Sequence, residues 1–147
     1  MMTMNFVYPA RITEEAPGEW LVTFPDVPEA ITGGENRGEA LEMAEDALAV
    51  ALLARIERNE PLPAPSPVKK GLMPVSVPAP TAAKLVLIDL WRRSGLSKSA
   101  FARLLGVDEK AARRLLDPNH NTSLSRLDSA IRKLGGRLVI SMLEMNS

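Results

Sequence analysis

Leu96-Ser97-Lys98-Ser99-Ala100-Phe101-Ala102-Arg103-Leu104-Leu105-Gly106-Val107-Asp108-Glu109-Lys110-Ala111-Ala112-Arg113-Arg114-Leu115-Leu116 is the stretch whose reading decides how the C-terminal half folds. Ser97 is placed to cap a helix, with Leu96 and Phe101 at the two positions of a hydrophobic staple. That helix is expected to end at Leu105. Gly106 supplies a tight left-handed turn, Val107 is expected to plug the core, and Asp108 caps a second helix. The pattern predicts a helix-turn-helix. Its logic is steric. Ala102 is small where the second helix crosses, and Ala112 and Leu115 face the core. Glu109, Lys110, Arg113 and Arg114 are left pointing outward, within reach of major-groove edges and phosphates. Lys98 and Ser99 belong to the same candidate surface, and Arg103 adds to its charge. The plain alternative is a helical hairpin with a solvated basic face.

Downstream, Asp117-Pro118 ends the second helix. Asn119-His120-Asn121-Thr122-Ser123 is a polar loop whose donors suit phosphate, with Asn121 and Thr122 as candidate contacts. His120 is the only histidine, so a His-rich metal site is excluded. With no acid–base partner visible, it reads as a capping or phosphate residue. Ser125 and Asp128 suggest a capping box for a helix from about Ser123 to Lys133, which Gly135-Gly136 closes. Arg137 to Leu143 is β-like and apolar on both faces, yet this half holds no other strand. An unpaired strand invites association. The expected solution is pairing with the same strand of a second subunit, through Leu138, Val139, Ile140 and Met142. The alternative is return to the N-terminal sheet. Upstream, Thr81 is expected to cap a helix that runs through Trp91 to Arg93.

The N-terminal half follows a different pattern. Asn5-Phe6-Val7-Tyr8 and Trp20-Leu21-Val22-Thr23-Phe24 read as strands joined at Pro17-Gly18. Ala30-Ile31-Thr32 reads as a third strand, closed by Gly33-Gly34. Asn36, with Glu39 three residues on, opens a helix to about Asn59. Its wide apolar stripe of Ala40, Ala44, Leu48, Ala51, Leu52 and Ile56, with Met43, Ala47 and Val50 beside them, is read as packing against the sheet. Met73 to Val77 is a possible edge strand, where Pro74 is tolerated. The fold expected is α+β: a three- to four-stranded sheet with one helix, then an all-α helix-turn-helix domain with a C-terminal dimerisation strand. The domains fall at residues 1–79 and 80–147. Pro61 to Pro80, with seven of the 12 prolines, forms the joint and is read as non-helical.

The net charge is zero, but it is split at this joint. Up to Pro67 there are 4 Lys/Arg and 12 Asp/Glu, net −8; beyond it there are 14 and 6, net +8. A basic half suits a polyanion and an acidic half suits a basic protein surface. The 147 residues contain no cysteine, which excludes disulfide scaffolds and thiol chemistry. No apolar run reaches the ~18 residues of a membrane span, and no signal peptide is apparent from Met1, or from Met4 as an alternative start. The acids of the first helix, Glu39, Glu42, Glu45 and Asp46, read as a solvated face rather than a metal site.

Several short motifs, in order, resemble HicB antitoxins. They are Tyr8-Pro9, Phe24-Pro25-Asp26-Val27-Pro28-Glu29-Ala30, Gly33-Gly34, Glu39-Ala40 and Pro61-Leu62-Pro63-Ala64-Pro65-Ser66. Arg113-Arg114-Leu115-Leu116-Asp117-Pro118-Asn119-His120, followed by Thr122, completes the series. The C-terminal half is similar to the subfamily with a Cro/C1-type helix-turn-helix, although many members carry Lys where this chain has Ser123. The resemblance implies a truncated RNase H-like N-terminal domain without nuclease activity. It implies that this domain occludes HicA, a small basic mRNA-cleaving toxin, with Trp20, Phe24, Asp26 and Glu29 as candidate contacts. It implies a C-terminal domain that represses the operon on double-stranded operator DNA, as a homodimer or dimer of dimers. The expected protein is cytoplasmic and non-enzymatic, and takes no cofactor or metal. The rival readings are a transcriptional regulator whose acidic domain senses another protein or a ligand, and a nuclease.

Overall fold

The computed structural model describes residues 3–145, so Met1 lies outside the described residues. The chain divides into two compact units, residues 1–85 and 86–147.

The first unit is a four-stranded antiparallel sheet carrying one helix. Strands β1 (Val7–Ala16), β2 (Glu19–Thr23) and β3 (Ile31–Gly34) precede helix α1 (Arg37–Glu57), and β4 (Met73–Ser76) follows it. The order across the sheet is β3-β2-β1-β4. β1 extends well beyond Tyr8 because Arg11 to Ala16 pair along β2. The turn at Pro17-Gly18 is as expected, with Gly18 at φ +76°. β4 is an edge strand, with Pro74 opposite Pro9, where a missing N–H does no harm.

Residues paired directly across the strands share a sheet face. Tyr8 and Ala10, Val22 and Val75 form the buried face, and Ala40, Ala44, Leu48 and Leu52 of α1 cover it. Asn36 caps α1 by accepting the Glu39 N–H at 2.8 Å. Contrary to the sequence reading, Gly33 and Gly34 lie inside β3 rather than beyond it. The reason is contact distance. A Cβ on Gly34 would sit 2.6 Å from the Ala40 nitrogen, inside the first turn of α1.

The proline-rich joint is a strap on this unit. The Tyr8 hydroxyl donates to the Pro63 carbonyl at 2.6 Å. The Ser66 N–H and hydroxyl donate to the Asp26 carboxylate at 2.7 and 2.6 Å. Its last residues are helical, which corrects the expectation for Pro80: α2 spans Ala79–Ser94. Pro80 fits because a first-turn N–H has no intrahelical acceptor. Thr81 is therefore within the helix. The unit boundary falls inside α2 rather than just ahead of it.

The second unit contains the rest of α2, then α3 (Lys98–Leu105), α4 (Glu109–Leu116) and α5 (Leu124–Lys133). Leu87, Ile88, Phe101, Ala102, Ala112, Leu127, Ala130 and Ile131 form its core. Trp91 tilts against Phe101, with ring centroids 6.5 Å apart. Two local readings need correction. Val107 is exposed rather than a core plug; its N–H closes the turn onto the Ala102 carbonyl at 3.0 Å. α5 is capped by Ser123, not Ser125, because Asp128 pairs with Arg132 at 3.2 Å instead of folding back. Residues 137–145 form no strand within the chain. Val139, Ile140 and Met142 are 78%, 81% and 80% exposed. The expected strand is absent here for a physical reason: a strand exists through a neighbour's hydrogen bonds, and among the described residues this segment pairs with none.

Gly34→Ala should destabilise the first unit by about 2 kcal/mol or more, since backbone must move to admit the methyl group. Gly38→Ala, whose Cβ meets only a side-chain atom at 3.4 Å, should be neutral or stabilising. Urea unfolding of the two variants checks the contrast; equal stabilities would contradict the close packing of β3 on α1.

Candidate nucleic-acid interface and partner-binding residues

α3 and α4 are two eight-residue helices joined by a three-residue turn. Each begins with a side-chain cap. Ser97 accepts the Ala100 N–H at 3.0 Å and Asp108 accepts the Ala111 N–H at 2.7 Å. Gly106 holds φ +71°, ψ 32°, the left-handed conformation that glycine takes without a steric cost. The turn thereby sets the crossing of the two helices. Ala112, Leu115 and Leu116 face inward, and Glu109, Lys110, Arg113 and Arg114 are exposed on the opposite face of α4.

Three of the expected contact residues form one network. The Ser99 hydroxyl donates to Glu109 Oε1 at 2.6 Å. Arg113 donates to the other oxygen at 3.1 Å. Glu109 therefore links α3 to α4 and restrains Arg113. Exposed pairs of this kind contribute roughly 0–1 kcal/mol, so the network positions more than it stabilises. Lys98, Arg103 and Lys110 are exposed on the same two helices.

The loop after α4 adds a second feature. Arg114, His120, Asn121, Thr122, Ser123 and Arg126, with Ala111 and Leu115, line a cavity of about 420 Å³. Two guanidinium side chains, an imidazole, an amide and two hydroxyls line it beside the start of α5. Such a wall suits an anionic oxygen cluster. Arg126 was not anticipated from sequence. It reaches the site from the first turn of α5, where its N–H donates to the Ser123 hydroxyl.

The four candidate toxin contacts lie in different surroundings. Phe24 is 1% exposed and belongs to the core. Asp26 holds the strap through Ser66. Glu29 forms a two-pronged ion pair with Arg55, at 2.6 and 2.9 Å, tying the loop after β2 to the end of α1. Trp20 is half-buried on β2, opposite Glu14 and Gly34. Among the described residues, no three His, Asp or Glu side chains converge as metal ligands would. No described helix is long and apolar enough to cross a membrane.

Residues 7–86 match the family model described as the HicB-like antitoxin of bacterial toxin–antitoxin systems. Similar proteins extend the match to almost the whole chain. Antitoxin HicB 2 of Photorhabdus laumondii is 39% identical over 93% of this chain and 96% of its own length. Antitoxin HicB of Escherichia coli K12 is 34% identical over 92% and 99%, and that of Pseudomonas fluorescens is 32% identical over 95% and 96%. The chain belongs to the HicB antitoxin family. Its role is that of the antitoxin in a toxin–antitoxin system, and the family implies a toxin as partner.

The Arg55 guanidinium holds the Glu29 carboxyl at about 2, well below its ordinary 4.5. The folded state thus favours the charged form. The resulting stability is fully present above pH 4.5 and is lost as pH falls towards 2. Glu29→Gln should be less stable than wild type at pH 7, and the gap should close between pH 4.5 and 2. Thermal melts across that range check it; a gap independent of pH would mean that the ion pair contributes nothing.

Proposed function

We propose that the chain binds and occludes a HicA-like mRNA-cleaving toxin through its first unit and represses its own operon through its second. The first unit is read as a truncated RNase H-like fold without catalysis. α3 and α4 are read as a Cro/C1-type helix-turn-helix, with α4 as the recognition helix in the major groove of operator DNA. The observation that carries the DNA reading is the outward face of α4. Lys110, Arg113 and Arg114 stand exposed on it, while Ala112 and Leu115 anchor its other side. Asn121 and Thr122, with the cavity beside them, suit backbone phosphates flanking that helix. The toxin reading is supported by family membership and by the concentration of acidic residues before Pro67. The protein acts in the cytoplasm without a cofactor.

The exposed segment 137–143 is read as the dimer contact, through Leu138, Val139, Ile140 and Met142. A single helix-turn-helix touches few base pairs, and two related by a twofold read half-sites ~34 Å apart. A homodimer, or a dimer of dimers, satisfies both the apolar segment and the operator.

Lys110→Ala and Arg113→Ala should each weaken operator binding and leave toxin binding intact. A base contact should cost roughly 1–3 kcal/mol and relax specificity, whereas a phosphate contact should mainly reduce the salt slope. Gel-shift titrations at two salt concentrations check this; unchanged affinity in both variants would remove α4 from the groove. Deleting residues 137–147 should give a folded monomer that keeps the toxin and loses most operator affinity. Sedimentation of that variant decides the point, since a persistent dimer would place the contact elsewhere.

A further inference from the structure

The face of α1 turned away from the sheet has an unusual composition. Glu39, Met43, Asp46, Val50, Leu53 and Glu57 follow one another at spacings of four and three residues. That spacing puts them in a single line along the helix. The line lies opposite the buried residues Ala40, Ala44, Leu48 and Ala51. Val50 is 65% exposed and Met43 42% exposed, and Leu53 is half-buried. An acidic helix face needs no such residues for solubility. Valine is also a poor choice for an exposed position in mid-helix, because its branched side chain loses rotamer freedom there. Alanine or glutamate would hold the helix better. The line therefore combines an apolar seam with flanking Glu39, Glu42, Asp46 and Glu57.

We infer that the outer face of α1 is the docking surface for a basic amphipathic helix of the toxin. This rests on the reading that the first unit binds a basic toxin. The charge argument selects the partner. Residues 1–67 carry −8, so a cationic helix is attracted and an acidic one is repelled. The spacing selects the shape, because an apolar line repeating every three to four residues accepts the ridge of a second helix. Met43 adds a seam that adapts to its partner. The four acids then meet cations at the rim, where they govern encounter rate and salt sensitivity, while Met43, Val50 and Leu53 carry the contact.

The chain has no cysteine, so single-cysteine variants report on one position each. Val50→Cys, Met43→Cys and Arg11→Cys would be alkylated with a maleimide in the full-length chain. The measurement is made with and without the catalytically inactivated toxin encoded beside it, after co-elution of the pair has been established. Cys at 50 and at 43 should react at least about tenfold more slowly in the complex, with the Arg11 position unchanged. Val50→Lys should weaken toxin binding by about tenfold or more at unaltered helicity, as expected for a residue central to an interface. A co-eluting complex in which position 50 reacts as fast as in the free chain overturns this surface and leaves the toxin reading standing. Failure to co-elute overturns the toxin reading and this inference with it. Slowing that grows with the chain's own concentration, toxin absent, would assign the face to a second copy and equally overturn the proposal.

Discussion

The close approach of β3 to the first turn of α1 is the contact on which the first unit depends. Gly34 lies against the Ala40 backbone with no room for a methyl group. Ala40 and Ala44 are small for the same reason, and Leu48 and Leu52 fill the wider gap further along. Because the helix is set down this closely, its buried side begins with alanines and widens to Leu48 and Leu52. Its outer side is left free to serve another purpose. The strap then closes the open end of the layer. Tyr8, buried in the sheet face, reaches the Pro63 carbonyl with its hydroxyl, and Asp26 fixes Ser66. A run of prolines suits this role because it has little conformational entropy to lose and few N–H groups to satisfy.

The second unit follows a different rule. Its helices are only eight to ten residues long beyond α2, below the length at which an isolated helix holds together in water. They persist because each is capped by a side chain and contributes buried residues to one core, Phe101 and Ala102 from α3, Ala112 from α4, and Leu127 and Ile131 from α5. The caps come from Ser97, Asp108 and Ser123, and each accepts an N–H three residues ahead. Rigidity in this unit is therefore local and short-range. That suits the proposed operator-binding role, in which side chains would meet base edges at fixed spacing.

What was legible in the sequence was what is local in the chain. Asn36, Ser97 and Asp108 were read as caps because a cap and its target lie three residues apart. Gly106 was read as a left-handed turn because the motif around it is contiguous. What was not legible depends on long loops closing. The Asp26–Ser66 and Glu29–Arg55 contacts join residues 40 and 26 positions apart, and neither spacing carries a periodic signal. Their absence from the sequence reading is why Asp26 and Glu29 looked like free acids for a partner. Phe24 was misjudged for another reason: it follows the alternation of β2 one step past the end of pairing, and so points into the core. The segment 137–143 was read correctly as apolar but not as to its state in one chain, because strand character belongs to a pair of strands.

A chain of zero net charge would be a poor ligand for a polyanion if charge acted as a sum. It does not. At physiological ionic strength the screening length is about 8 Å, so a phosphate near α4 responds to Lys110, Arg113, Arg114 and Arg126 and hardly at all to acids elsewhere. The same screening lets the acids around α1 act on their own neighbours. Opposite local fields on one chain also limit wrong contacts. The acids of the α1 face would repel DNA and the cations of the α4 face would repel a basic protein, so on the proposed function each surface selects its partner partly by rejecting the other's. Under the proposed function, the split in charge thus does more than keep two units in solution: it would keep recognition of toxin and of operator from competing for the same partner.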